Sequence, residues 1–98
     1  MKRVMVRYTV KPDLVADNAS RIEAVFAQLD REKPAGLRYA SFKHGDNFVH
    51  VASIETADGS NPLAALDAFK QFVATIKDRC IEPPVTVELE QIGAYRLP

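Results

Sequence analysis

The hydrophobic period changes four times along this 98-residue chain, and the order of those changes restricts the fold more than any single motif. "RVMVRYTV" alternates, with Val4, Val6, Tyr8 and Val10 on one face and Met5, Arg7 and Thr9 on the other, the pattern of a strand. After Lys11-Pro12 the period becomes helical from Asp13 to about Arg31, with Val15, Ile22, Val25, Phe26 and Leu29 in an apolar stripe and Arg21, Glu23 and Gln28 outside it. Pro34 and Gly36 then stop the helix. "GLRYASFK" and "NFVHVASIE" read as two strands around "HGDN", whose Gly, Asp and Asn tolerate the positive φ of a tight hairpin.

A second helix follows in "DGSNPLAALDAFKQFVATIKDRC", capped by Ser60 or Asn61, with Pro62 in its first turn and Leu66, Phe69, Val73, Ile76 and Cys80 as its buried face. Pro83-Pro84 prevents it from continuing. "VTVELEQIGAY" closes the chain as a fourth strand, alternating Val85, Val87 and Leu89 against Thr86, Glu88 and Glu90. The order β-α-β-β-α-β predicts one α+β domain over 1–98, ferredoxin-like, with a four-stranded antiparallel sheet and two helices on one face.

If Val85, Val87 and Leu89 face the helices with Val4, Val6 and Tyr8, the open face carries Met5, Thr9, Val49, Val51, Ile92 and Ala94. Arg7, Glu88 and Glu90 fall there too, with Arg7 beside the two glutamates on a neighbouring strand. Such a face is too apolar for water, so two sheets are expected to pack face to face in a homodimer, a dimeric α+β barrel.

Composition removes other classes. Thirteen Lys and Arg balance thirteen Asp and Glu and are scattered, which is unlike a nucleic-acid binder, and no apolar run is long enough for a membrane span. A base-stacking sheet would also need an aromatic pair on adjacent strands of the open face, which is missing. Cys80 is the single cysteine, and with no signal peptide the expected compartment is a reducing cytoplasm. On its helical stripe Cys80 reads as a small buried hydrophobe rather than a nucleophile.

The two histidines lie close together, at His44 and His50. A two-residue turn at Gly45-Asp46 or Asp46-Asn47 points them to opposite faces. A three-residue turn would put them on one face with only Asp46 as a third ligand, so no metal is expected. His44 reads as an exposed turn residue. His50 shares its strand face with Phe48, Ala52 and Ile54. In the ferredoxin-like order the first and third strands are neighbours, so His50 would lie near Tyr8 and near the start of the first helix. Asn18, which interrupts that helix's apolar stripe, could join them. It could equally bond nearby backbone or sit at the stripe's edge, and Tyr8 could be core with its hydroxyl satisfied.

The order of elements, together with "VRYTVKPDLVADN", "PAGLRYASFK", "FVHVASIE" and "NPLAALDAFKQF", resembles the dimeric α+β barrel superfamily, in particular antibiotic biosynthesis monooxygenase-like domains. The resemblance spans nearly the whole chain and rests on a hydrophobic pattern with few fixed polar residues. It implies a homodimer with a small-molecule pocket between helices and sheet, and oxidation of phenols or quinols by molecular oxygen with no cofactor. A haem-degrading branch carries a first-strand Asn, a Trp near the end of the third strand and a His on the second helix. Here Val6 and Ile54 stand at the first two and the second helix has no His, so haem is not expected. The Trp is common in the quinol-oxidising branch as well.

Two functions are therefore expected. One is a cofactor-free monooxygenase with His50 as catalytic base and Tyr8, Asn18, Phe48, Ile54 and Phe69 around a small apolar aromatic substrate. The other is a non-catalytic dimeric module of the same fold that binds such a ligand or acts as a scaffold.

Overall fold

Alternating Val, Tyr and Thr side chains give the first strand, β1, over Lys2–Val10, with Tyr8 and Val10 fully covered by the helical layer. In a computed structural model of the protein, which describes residues 1 to 97, this strand is the second from one edge of a four-stranded antiparallel sheet. Pro98, the last residue of the expected 1–98 domain, lies outside the described residues. A 3-10 turn at Pro12–Leu14 leads into helix α1, Val15–Glu32. Strands β2, Leu37–His44, and β3, Asn47–Ile54, form the hairpin. A second 3-10 turn at Pro62–Ala65 precedes helix α2, Asp67–Arg79, and β4 runs over Cys80–Leu89. The order across the sheet is β2-β3-β1-β4, with both helices over one face, the ferredoxin-like arrangement that the periodicity predicts.

The hairpin turn is the two-residue Gly45-Asp46, since His44 pairs with Asn47. Glycine supplies the positive φ, 61°, at its first position. This turn sets the register: Ser41 pairs with His50 and Tyr39 with Ala52, while across β1 His50 pairs with Val6 and Phe48 with Tyr8. His44 is exposed and His50 is buried on the opposite face.

Several expectations are corrected. Arg7 pairs with Val85, Met5 with Val87 and Arg3 with Leu89, so Val85, Val87 and Leu89 lie on the open face, and Thr86 and Glu88 lie on the helix side opposite Val6 and Val4. The register against β1 decides which parity of β4 points inward, and the strand's own alternation carries no such information. Arg7 and Glu88 are thus on opposite faces. Ile92 and Ala94 fall beyond the end of β4 and do not belong to the sheet, and Ile92 is wholly exposed.

β4 also begins five residues before Val85, and Pro83-Pro84 sit inside it rather than ending α2. The prolines are tolerated there because β4 is an edge strand, in which alternate N–H groups face away from the ladder, and because the ladder to β1 shifts register between Arg7 and Thr9, beside them. On α2 the buried face is Phe72, Ile76 and Arg79, with Val73 half-exposed and Leu66 buried ahead of the helix. The 3-10 turn shifts the phase of α2 relative to a continuous helix from Pro62, which rotates Phe72 inward. Asn61 caps that turn, accepting from the Leu63 amide at 3.0 Å. The first turn of α2 is served from α1: Gln28, expected outside the stripe, is buried, and its Oε1 accepts from the Ala68 amide at 2.9 Å.

At the end of the α1–β2 connection Gly36 has φ +79°, and a Cβ there would lie 2.7 Å from Thr56 Cγ2. Gly36→Ala is expected to cost about 2 kcal/mol, backbone strain plus overpacking. Gly45→Ala, with φ 61° but nothing within 4 Å, should lose only about 1 kcal/mol. Denaturant midpoints of the two variants would check both; equal losses would mean that the Thr56 contact is unimportant.

Candidate functional site

Between the helices and the sheet lies an apolar cavity of about 320 Å³, with Val4, Val6, Phe69, Phe72 and Ile76 among its walls. His50 is its one buried polar lining residue, 5% exposed, and Tyr39 lies beside it. The cavity opens toward the β4 edge, where the lining residues Val73 and Thr86 are exposed.

Behind His50 a hydrogen-bonded chain crosses the core. Tyr8 Oη lies 2.7 Å from His50 Nε2, Asn18 Nδ2 donates to Tyr8 Oη at 3.0 Å, and Arg79 Nε donates to Asn18 Oδ1 at 2.9 Å. On the other side of the ring Nδ1 is 2.9 Å from Tyr39 Oη and 2.7 Å from Ser41 Oγ. Each of five backbone segments contributes through a regular pattern: alternation on β1 and β3, the hairpin register that sets Ser41 of β2 across from His50, and inward positions of α1 and α2.

Donor counting fixes the direction of these bonds. A guanidinium can only donate, so Asn18 must present its oxygen to Arg79 and its amide nitrogen to Tyr8. Tyr8 Oη therefore accepts from Asn18 and has one proton of its own, for which His50 Nε2 is the partner. Nε2 then carries a lone pair and Nδ1 the proton, which it donates to Tyr39 or Ser41. This tautomer is assigned from the network, and it leaves each buried side-chain nitrogen and oxygen among the described residues with a partner.

Burial sets the protonation states. Desolvation lowers the His50 pKa from 6.5 to about 4, so the ring is neutral at physiological pH. Burial likewise raises the pKa of Tyr8, although the Asn18 bond pulls it the other way, and raises that of Tyr39, so both phenols keep their protons. Arg79 is 4% exposed, and desolvation lowers its pKa from a high starting value. It is held as a cation by position: it ends α2, whose C-terminal carbonyls carry partial negative charge. There it donates to the Phe72 carbonyl at 3.2 Å and to Thr75 Oγ1 at 2.6 Å, and lies 5.1 Å over the Phe72 ring.

Of the residues expected to form a site, Asn18, Tyr8 and His50 converge. His50 and Phe69 line the cavity, and Tyr8 and Asn18 stand behind it. Phe48 stacks on Tyr8 with ring centroids 5.5 Å apart, and Ile54 is buried; neither lines this cavity. Tyr39, Ser41 and Arg79 were not expected. The two-residue turn alone puts Ser41 across from His50 and Tyr39 on the same face, so the hairpin contained the signal for both. Arg79 lies three residues after Ile76, at the inward spacing that Cys80 was assumed to hold. No group of three or more His, Cys, Asp or Glu among the described residues is placed to hold a metal ion, and no helix there is long and apolar enough to cross a membrane.

The sequence matches no family model and no curated protein. The fold has solved counterparts. An antibiotic biosynthesis monooxygenase superposes with a TM-score of 0.76 at 17% identity, covering 95% of this chain and 100% of the other. A protein from Mycobacterium tuberculosis gives 0.76 at 14% identity over 95% and 96%. SnoaB, a cofactor-independent oxygenase from Streptomyces nogalater, gives 0.70 at 14% over 98% and 97%. At these identities the likeness is one of fold, and it agrees with the resemblance noted in the sequence.

The His50 environment predicts a pH dependence of stability. Between its ordinary pKa of 6.5 and about 4, the unfolded chain binds a proton that the folded chain does not. Stability should therefore fall as pH drops through that window, by about 3 kcal/mol across it. Denaturant unfolding at a series of pH values would measure the slope, and His50→Gln should flatten it. An unchanged slope in the variant would assign the loss to other groups.

Proposed function

We propose that the protein oxidises a small phenol or quinol with molecular oxygen and without a cofactor, and that the cavity between helices and sheet is where it does so. The observation that carries this reading is an apolar chamber whose one buried polar wall group is a neutral histidine, hydrogen-bonded to a second lining residue, Tyr39. Its volume, about 320 Å³, is at the small end for ligand sites and suits one or two aromatic rings. The fold's likeness to SnoaB and to an antibiotic biosynthesis monooxygenase adds support.

In the proposed reaction the ring lies among Val4, Val6, Phe69 and Phe72 with its hydroxyl oxygen against Tyr39 and His50. The ionised phenol is electron-rich enough to react with oxygen at a ring carbon. One oxygen atom replaces hydrogen there as a carbonyl, the other leaves as water, and the phenol becomes a quinone; the four electrons oxygen needs come from the ring. Tyr39 is the group that meets the substrate oxygen, and His50, expected to be the catalytic base, is the positioning residue of this proposal. Taking the phenol's proton would create an imidazolium that burial disfavours, so its role is to hold the wall that faces the substrate oxygen, and the proton leaves through the open side near Val73 and Thr86.

A second reading, a non-catalytic module that binds the same ligands, is favoured by one observation: the polar chain is fully satisfied without a ligand. Oxygen uptake with a panel of hydroquinones and anthrones separates the two. Under the enzyme reading His50→Ala should lower uptake by about a hundredfold, the scale for losing the preorganised hydroxyl donor that His50 holds at developing charge, and His44→Ala should change little. No uptake with any of the panel would leave the binding module. An active wild type indifferent to His50→Ala would remove His50 from the mechanism.

We further propose that the protein works as a homodimer in the cytoplasm, where the lone Cys80 suits a reducing compartment. The open sheet face, now including Val85 at 44% exposure, Val87 at 37% and Phe42 at 59% beside Met5, Val49 and Val51, supports pairing through that face. Val51→Asp would place an unpaired charge in the interface, at a cost of about 3 kcal/mol or more, and should shift sedimentation from dimer to monomer. A wild type that sediments as a monomer at micromolar concentration would overturn the dimer.

A further inference from the structure

We infer that the polar wall of the cavity is a one-way chain of hydrogen-bond donors, driven from Arg79 and ending at the Tyr39 hydroxyl, so that the pocket binds its phenol in the ionised form. The inference rests on the aromatic ligand class proposed above, with Tyr39 as the group that touches the ligand oxygen, and adds the ionisation state and Arg79 as a positioning residue.

Each link runs the same way. Arg79 Nε donates to Asn18, Asn18 to Tyr8, Tyr8 to His50 Nε2, and the single Nδ1 proton of His50 goes to the hydroxyl of Tyr39 or of Ser41. No member can turn round without orphaning its neighbour, because the guanidinium has no acceptor. Tyr39 accepts that proton directly or through Ser41, whose side chain also bonds Tyr39, and keeps its own proton to give. Of the two, Tyr39 lines the cavity. Its ring is fixed by stacking on Phe26, with centroids 5.2 Å apart. A chain of bonds aligned head to tail polarises each successive donor, and at its head is a buried cation whose hydrogen bonds all go to neutral groups: Asn18, Thr75 and the Phe72 carbonyl.

The charged and titratable groups around the chain do not cancel this polarity. Asp17 and Arg21 of α1 act on Arg79 with opposite signs and bond each other at 2.9 Å. Cys80, the first residue of β4, has a pKa raised by burial and remains a thiol. Tyr8 and Tyr39 remain protonated, and His50 remains neutral. The complement to such a wall is an oxygen carrying negative charge.

The test uses a chromogenic phenol, 4-nitrophenol, whose ionised form has its own visible band, and its uncharged methyl ether, 4-nitroanisole. Wild-type protein should bind 4-nitrophenol with the phenolate band appearing at a pH where the free probe is mainly protonated. The apparent pKa of the bound probe should fall by about one unit or more, a tenfold gain in ionisation. Tyr39→Phe keeps the ring on Phe26 and removes only the donor, and should abolish most of that shift while 4-nitroanisole still binds. Arg79→Met should reduce the shift and Arg79→Lys should retain part of it, which a purely structural role would not produce. If Arg79→Met does not fold, Tyr39→Phe alone decides. Binding of 4-nitroanisole with 4-nitrophenol held protonated, or a shift unchanged in Tyr39→Phe, overturns the inference and leaves the ligand class standing. If neither probe binds, the aromatic ligand class fails and the inference with it.

Discussion

The contact between the Tyr8 hydroxyl and His50 Nε2 is the constraint to which the rest of the core is fitted. It joins neighbouring strands on the helix-facing side of the sheet, where an unpaired hydroxyl or imidazole would cost about as much as a lost buried hydrogen bond. It exists only in one register. A slip of one residue between β1 and β3 would send His50 to the open face and put Val49 or Val51 under the helices. The two-residue turn at Gly45-Asp46 makes the same choice from the other side, since it alone brings Ser41 to the second ring nitrogen. Two strand pairings thus agree on where one side chain must be.

The helices are tied to the sheet by that same polarity. Asn18 sits at full burial in α1 because its amide has both a donor to meet and an acceptor to serve, Arg79 on one side and Tyr8 on the other. Arg79 in turn can be buried because it ends a helix and lies against the face and carbonyl of Phe72, so that its charge is stabilised without a carboxylate. Tyr8, Phe48 and Phe72 pack with Val10, Ile22, Val25 and Ile76 in one buried cluster. The polar chain supplies its specificity, since it is satisfied only when α1 and α2 have the correct rotation and height.

The order of elements and the convergence of Asn18, Tyr8 and His50 were legible in the sequence because both follow from periodicity plus one topological rule about neighbouring strands. The parity of β4 was not. Val85, Val87 and Leu89 alternate as well facing out as facing in, and only the ladder with Arg7, Met5 and Arg3 decides. Arg79 was missed for a related reason: its rotation on α2 depends on where the helix begins, and the 3-10 turn at Pro62–Ala65 moves that point by several residues. Tyr39 and Ser41 were within reach of the hairpin register but depended on the turn length, which the sequence left open between two and three residues. In each case the missing information was a phase, set by contacts distant in sequence.

The two adjacent prolines of β4 bear on how copies of the chain can meet in concentrated solution. An edge strand ordinarily offers a row of free amides and carbonyls to any extended segment that approaches, which is the route to open-ended sheet growth. Pro83 and Pro84 have no amide hydrogen, and the ladder to β1 is irregular beside them, shifting register between Arg7 and Val10. A strand arriving from outside would find an outward donor missing where it must begin to zip. The sheet is thereby hindered from sideways extension at that margin, whatever meets its exposed valines.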